Sequence, residues 1–141
     1  MILDSSILIA DERGRFALQE FFAVHGSETF CLAAITVSEL WHGVERATPP
    51  ARKATREAQV RQWLSSLPVL AFDSSVAQRH AAIWADLEVR GCVIGSHDLQ
   101  IAATALCHGH PLATLNQREF QRVPGLQLAD TAPFLRLPPP S

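Results

Sequence analysis

The sequence predicts an α/β domain with a mainly parallel sheet, and three observations predict it. Short apolar segments with strand character alternate with longer stretches of helical periodicity. One of those stretches, His97 to His108, is apolar on nearly every side, as expected of a helix buried between layers. No internal repeat and no linker divides the 141 residues, a length that suits one domain.

The elements follow in order. Residues 1–4 form an apolar strand that ends in an acid, Asp4. Asp11 to His25 is expected as one helix, with Asp11 and Glu12 at the end where the helix dipole favours them and Gly26 as its stop. Thr29 to Ala33 is the second strand. Thr36-Val-Ser-Glu39 reads as a capping box that opens a helix carrying Leu40, Trp41 and Val44. Pro49 and Pro50 break the chain, and Ala51 to Ser66 is an arginine-rich helix with Val60, Trp63 and Leu64 on its apolar stripe. Val69 to Phe72 is the third strand. Ser75 and Gln78 fit a cap for a helix that stops at Gly91, and Ser96 caps the apolar helix that Gly109 ends. Leu112 to Thr114 is a fourth strand and Leu126 to Ala129 a short fifth. The domain is expected to span residues 1–136, with residues 137–141 as a flexible tail.

Composition narrows the function classes. The chain is 48% hydrophobic and 18% charged, enough to fill a core and unlike a disordered segment. No apolar run reaches the roughly 18 residues that span a bilayer. The start, MILDSSILIA, does not read as a signal peptide, so a cytoplasmic location is expected, away from membranes. Three cysteines, Cys31, Cys92 and Cys107, form no CxxC pair and read as reduced thiols. Six histidines without a metal-ligand spacing argue against a zinc site. A net charge of −2 excludes a broadly basic nucleic-acid surface, although eleven of the twelve basic residues are arginines, the side chain that best matches phosphates.

In parallel sheets, sites form at the carboxyl ends of the strands. Four acids lie there or in adjoining helical turns: Asp4, Glu39, Asp98 and Glu119. Hard oxygen ligands on separate elements suit magnesium or manganese, the ions that hydrolyse phosphodiesters. Each acid also has a structural reading. Asp4 can bond the turn at Ser5 and Ser6, Glu39 can complete the capping box, Asp98 can face a helix dipole, and Glu119 can be a surface residue. Asp98 resists its structural reading because the helix behind it is almost wholly apolar, and a carboxylate entering a core needs a partner or a cation.

The segments MILDSSILIA, ITVSELWHGVERA, IGSHDLQIAATALCHGHPLAT and LNQREFQRVPGLQL resemble, in order, the signature stretches of VapC-type toxins in the PIN-domain family. T-x-S-E-L-x-x-G followed by D-L-x-I-A-A-x-A is the specific part. The resemblance implies a PIN-like three-layer α/β/α sandwich. It implies metal-binding acids at Asp4, Glu39 and Asp98, with Ser6 as the small polar residue beside the first acid and Thr114 as the hydroxyl after the fourth strand. Many PIN domains carry an aspartate two residues beyond that threonine. Here it is Asn116, in a T-x-N-x-x-[DE]-F variant that brings Glu119 forward as a further catalytic acid and leaves Asn116, with Thr114, as a donor behind the metal-binding acids.

The implied function is a Mg2+- or Mn2+-dependent endoribonuclease, the toxin of a type II toxin–antitoxin pair, with RNA as substrate, a cognate antitoxin as partner, and a homodimer as assembly. Arg13, Arg15, Arg46, Arg52, Arg56 and Arg61 are candidates for steering RNA, and the Arg46–Arg61 stretch near Trp41 and Trp63 is a candidate antitoxin contact. Two enzymatic rivals fit less well. A haloacid-dehalogenase-type phosphotransferase wants a second aspartate where Ser6 stands, and a response-regulator receiver wants a late lysine, whereas Lys53 is the one lysine. A catalytically impaired PIN scaffold that binds RNA or protein is the alternative from another class; Asn116 favours it, and the retained acids oppose it.

Overall fold

The structure is a computed structural model that describes residues 1–137. The tail expected at 137–141 therefore lies, from residue 138 on, outside the described residues.

Four short strands, β1 (Ile2–Leu3), β2 (Leu32–Ala33), β3 (Val69–Leu70) and β4 (Leu112–Ala113), pair in parallel as β1 with β4 and β2 with β3. A parallel Ile2–Cys31 bridge joins the two pairs, and a parallel Leu112–Leu128 bridge extends the far edge. The order across the sheet is thus β3, β2, β1, β4, then the segment around Leu128. The fifth strand expected over residues 126–129 shrinks to that one bridge. Its segment is confined between a turn at Gly125, where φ is +79°, and a 3-10 turn at Ala132–Phe134.

Side chains alternate across this sheet and feed two cores. Leu3, Leu32 and Ala113 face one core, with Ile7 and Leu8 of α1 (Ser5–Glu12), Phe21 of α2 (Leu18–Val24), Leu40 and Val44 of α3 (Ala34–Arg46), and Val60 and Trp63 of α4 (Pro50–Ser66). Ile2, Ala33 and Leu112 face the other. It contains Ile83 and Leu87 of α5 (Ser74–Val89), Ile101 and Ala102 of α6 (Ser96–His108), and Phe120 of α7 (Gln117–Phe120). This is the three-layer arrangement. Each fully buried leucine or isoleucine contributes roughly 1.5–3 kcal/mol of transfer free energy. The apolar helix α6 lies between layers as its composition predicts, with Ile101, Ala102, Ala103 and Ala105 wholly buried. Gly109 ends it at φ +66°, a left-handed position that glycine fills at least cost.

The helix starts depart from the sequence reading. The helix expected over Asp11–His25 is two helices, with α1 beginning at Ser5 and a break at Gly14, where φ is +71°. Asp11 and Glu12 close α1, at the end the dipole disfavours, and are compensated locally. Asp11 Oδ1 accepts the Leu18 amide at 3.3 Å, and Glu12 lies 3.5 Å from the Arg56 guanidinium. The capping box at Thr36 does not form. β2 runs straight into α3, whose N-cap is Ala33, and Thr36 is turned into the core. Glu39 consequently stands in the second turn of α3 and not the first. α5 is capped by Asp73, whose Oδ1 accepts the Val76 amide at 2.9 Å, in place of Ser75; α6 starts after Gly95 with no side-chain cap.

Candidate metal centre

The parallel strands bring their carboxyl ends to one edge, where Asp4 follows β1, α3 follows β2, and Thr114 follows β4. Asp4 is only 6% exposed. Two hydroxyls donate to its Oδ2, Ser6 Oγ at 2.7 Å and Thr114 Oγ1 at 2.8 Å. Each hydroxyl in turn accepts a backbone amide: Leu115 N–H at Ser6 Oγ, 3.1 Å, and Asn116 N–H at Thr114 Oγ1, 3.0 Å. Both hydroxyl protons are thereby committed to one oxygen, which fixes the carboxylate's orientation. Among the described residues no hydrogen bond ends on Asp4 Oδ1.

Asp98, in the first turn of α6, accepts a hydrogen bond at Oδ2 from Asn116 Nδ2 at 3.1 Å. An asparagine can make this bond and an ionised aspartate cannot. The departure from the commoner family pattern thus supplies a donor to an acid. Gly95 packs close to the same oxygen, since a Cβ there would stand 3.8 Å from it.

Glu39 reaches the edge from α3. Its Oε2 lies 3.6 Å from His97 Nδ1, while Oε1 is buried and has no hydrogen-bond partner. His97 escapes the sequence reading, which weighed the histidines only as zinc ligands; its place beside Asp98 in a first helical turn is the available signal. Glu119 sits on α7, 3.8 Å from Arg122. Trp63 of α4 is buried in the core, and Trp41 lies beneath the Arg61 guanidinium at 5.1 Å.

The acids feel one another. Burial first, and then the Asp4 carboxylate, push the Glu39 carboxyl above its ordinary range, with His97 opposing. Burial first, then Asp4 and Glu119, push Asp98 up, against the Asn116 hydrogen bond. Four carboxylates from four separate elements therefore share one electrostatic neighbourhood. Among the described residues, no three His, Cys, Asp or Glu side chains stand close enough together to hold a metal ion. The charge of the four carboxylates is partly offset by the Ser6 and Thr114 hydroxyls at Asp4, Asn116 at Asp98, His97 at Glu39 and Arg122 at Glu119. A divalent cation fits the donor set: all oxygen, like-charged, with one buried oxygen left unpartnered.

A parallel sheet with acids gathered at its carboxyl edge defines an α/β domain with a clustered-carboxylate site. The family profile described as the PIN domain matches residues 1–126. The chain belongs to the PIN-domain family. Among its relatives, Ribonuclease VapC1 of Rickettsia felis is 34% identical over 91% of this chain and 93% of its own length. The tRNA(fMet)-specific endonuclease VapC of Salmonella typhimurium is 34% identical over 80% and 83%. In fold, the chain is similar to the DNA-bound VapBC structure from Salmonella typhimurium. The TM-score is 0.80 at 32% identity, covering 92% of this chain and 96% of the other.

Proposed function

We propose that this chain is a divalent-metal-dependent endoribonuclease, the toxin of a type II toxin–antitoxin pair acting in the cytoplasm. The observation that carries the reading is the buried, unpartnered Glu39 oxygen in a site shared with Asp4 and Asp98, on a fold whose relatives are named as ribonucleases. Asp4, Glu39 and Asp98 would hold Mg2+ or Mn2+, which when bound acidifies a water and neutralises charge on a phosphate.

The side chains then have separate tasks. Ser6 and Thr114 lock Asp4 through Oδ2, leaving Oδ1 for the cation. Asn116 holds Asp98 by Oδ2, and His97 stands against one oxygen of Glu39. Glu119 acts from the outer side, where it adds negative charge beside Asp98 and is itself balanced by Arg122.

The test is cleavage of single-stranded RNA by the purified protein. Degradation is expected with Mg2+ or Mn2+ and absent in excess chelator; undiminished activity in chelator overturns the metal reading. RNA binding without cleavage under any divalent ion would turn the assignment to an impaired scaffold. A second expectation concerns Thr114. Thr114→Val removes one of the two donors to Asp4 and is expected to lower kcat/KM by about 10–100-fold, as loss of a partner orienting a metal ligand does. Thr114→Ser, which keeps the hydroxyl, should recover most of it; equal losses in the two variants would mean that packing, and not the hydrogen bond, is at stake.

The antitoxin is supported by the toxin–antitoxin complexes that the fold resembles, and the homodimer by the family resemblance. Light scattering on the co-expressed pair tests both: the toxin alone is expected at twice its chain mass, and the complex above that. A monomer that captures no antitoxin would contradict them.

A further inference from the structure

The acidic edge repels RNA, so a substrate strand must be held by cations beside it. One cleft opens there, and a second meets it at Arg13. One, of about 510 Å³, opens from Ser5 and Ser6 and is lined by Arg13, Arg15, Arg136 and Leu115. The other, of about 480 Å³, is lined by Arg13, Glu12, Arg52, Thr55 and Arg56. Arg13 lines both, so the two clefts adjoin across its side chain, and together they make a groove whose near end is the serine bonded to Asp4.

The arginines of this protein divide into two sets. Arg56, Arg61, Arg90, Arg122 and Arg136 each approach an acid. Arg13, Arg15, Arg46, Arg52, Arg79 and Arg118 have no acid or carbonyl on their guanidinium among the described residues, and three of these six, Arg13, Arg15 and Arg52, line this groove. Among the described residues Glu12 is its one carboxylate, already opposite Arg56. The first cleft also offers apolar surface from Ile9, Leu115 and the half-exposed Leu135.

We infer that this groove is the path of the RNA backbone leaving the metal centre, with Arg13 and Arg15 as its main phosphate contacts and Arg52 farther along. The inference rests on the ribonuclease reading. Unpaired guanidiniums suit phosphates, and apolar walls suit the faces of sugars and bases of a single strand. It also selects among the arginines of the sequence: Arg61 is taken up by Glu57 and Trp41 and Arg46 lies outside the groove, while Arg13, Arg15 and Arg52 both line it and lack an acid partner among the described residues.

Labelled single-stranded RNA titrated in chelator, across a salt series, reads the groove without needing catalysis. Each phosphate contact on a single strand contributes about 0.7 to the slope of log affinity against log salt. Arg13→Ala/Arg15→Ala is therefore expected to reduce that slope by about 1.4. In the presence of Mg2+, its kcat/KM should fall at least about tenfold, mainly through KM. Arg79→Ala/Arg90→Ala, which removes two exposed arginines outside the groove, is the control for net charge. A slope and kcat/KM matching that control would overturn the inference, as would unchanged RNA binding with loss of antitoxin binding, which would give the groove to an acidic peptide. Failure of the wild type to cleave RNA at all would sink the ribonuclease reading, and the slope would still report on the groove.

Discussion

Asp98→Asn is expected to lower RNA cleavage by at least about 100-fold at fixed Mg2+ or Mn2+, with the fold unchanged. The substitution keeps the side chain's size and removes its charge. Partners that merely orient a metal ligand contribute about 10–100-fold, so loss of a charged ligand should reach or exceed the top of that range. Asp4→Asn should do the same, with an added cost: an amide at Asp4 would disturb an acceptor now used by both Ser6 and Thr114. Asp98 is the cleaner probe, because it accepts only the Asn116 bond among the described residues. Initial rates on a labelled RNA, with circular dichroism to confirm folding, decide it. Near-wild-type cleavage by a well-folded Asp98→Asn protein would remove this acid from the site.

The same variant is expected to melt no lower than wild type in chelator, and above it near neutral pH. Burial and neighbouring carboxylates raise both Asp98 and Glu39, so the folded chain holds protons that the unfolded chain has released. The favourable contribution is therefore complete below the ordinary carboxylate range and is lost as pH rises through the raised values. At neutral pH both ionised acids weigh against the fold, and replacing one by asparagine relieves that repulsion. The advantage of the variant should shrink as pH falls to about 4, where ordinary carboxylates protonate. Divalent metal should reverse the order. At about 100 times its dissociation constant a ligand stabilises the protein that binds it by roughly 2.7 kcal/mol, several degrees in Tm. Wild type should gain this and the variant little. A variant that melts well below wild type in chelator would make Asp98 a structural residue.

Much of this was legible in the sequence. Alternation of strands and helices gave the parallel sheet, and the apolar helix α6 with an acid at its start pointed to Asp98. The misreadings came where two local signals compete. ILIA after Asp4 is too short and too apolar to show a helical stripe, yet Ser5–Glu12 is helical because Ile7 and Leu8 fill the core beneath the sheet. Thr36 and Glu39 have capping-box spacing, but the helix starts earlier, which frees Glu39 to reach the edge and leaves one of its oxygens without a partner. The approach of His97 to Glu39 and the Asn116 bond to Asp98 join residues far apart in the chain. No spacing rule encodes those contacts; the packing of α3, α6 and the turn after β4 creates them.

Titration of Mn2+ into the protein, followed by the loss of the free-ion paramagnetic resonance signal, addresses the shared cation site most directly. Saturable binding to wild type, abolished singly by Asp4→Asn and by Asp98→Asn and weakened by Glu39→Gln, is the predicted result. Mn2+ uptake that is absent from wild type, or that survives in all three variants, would contradict it.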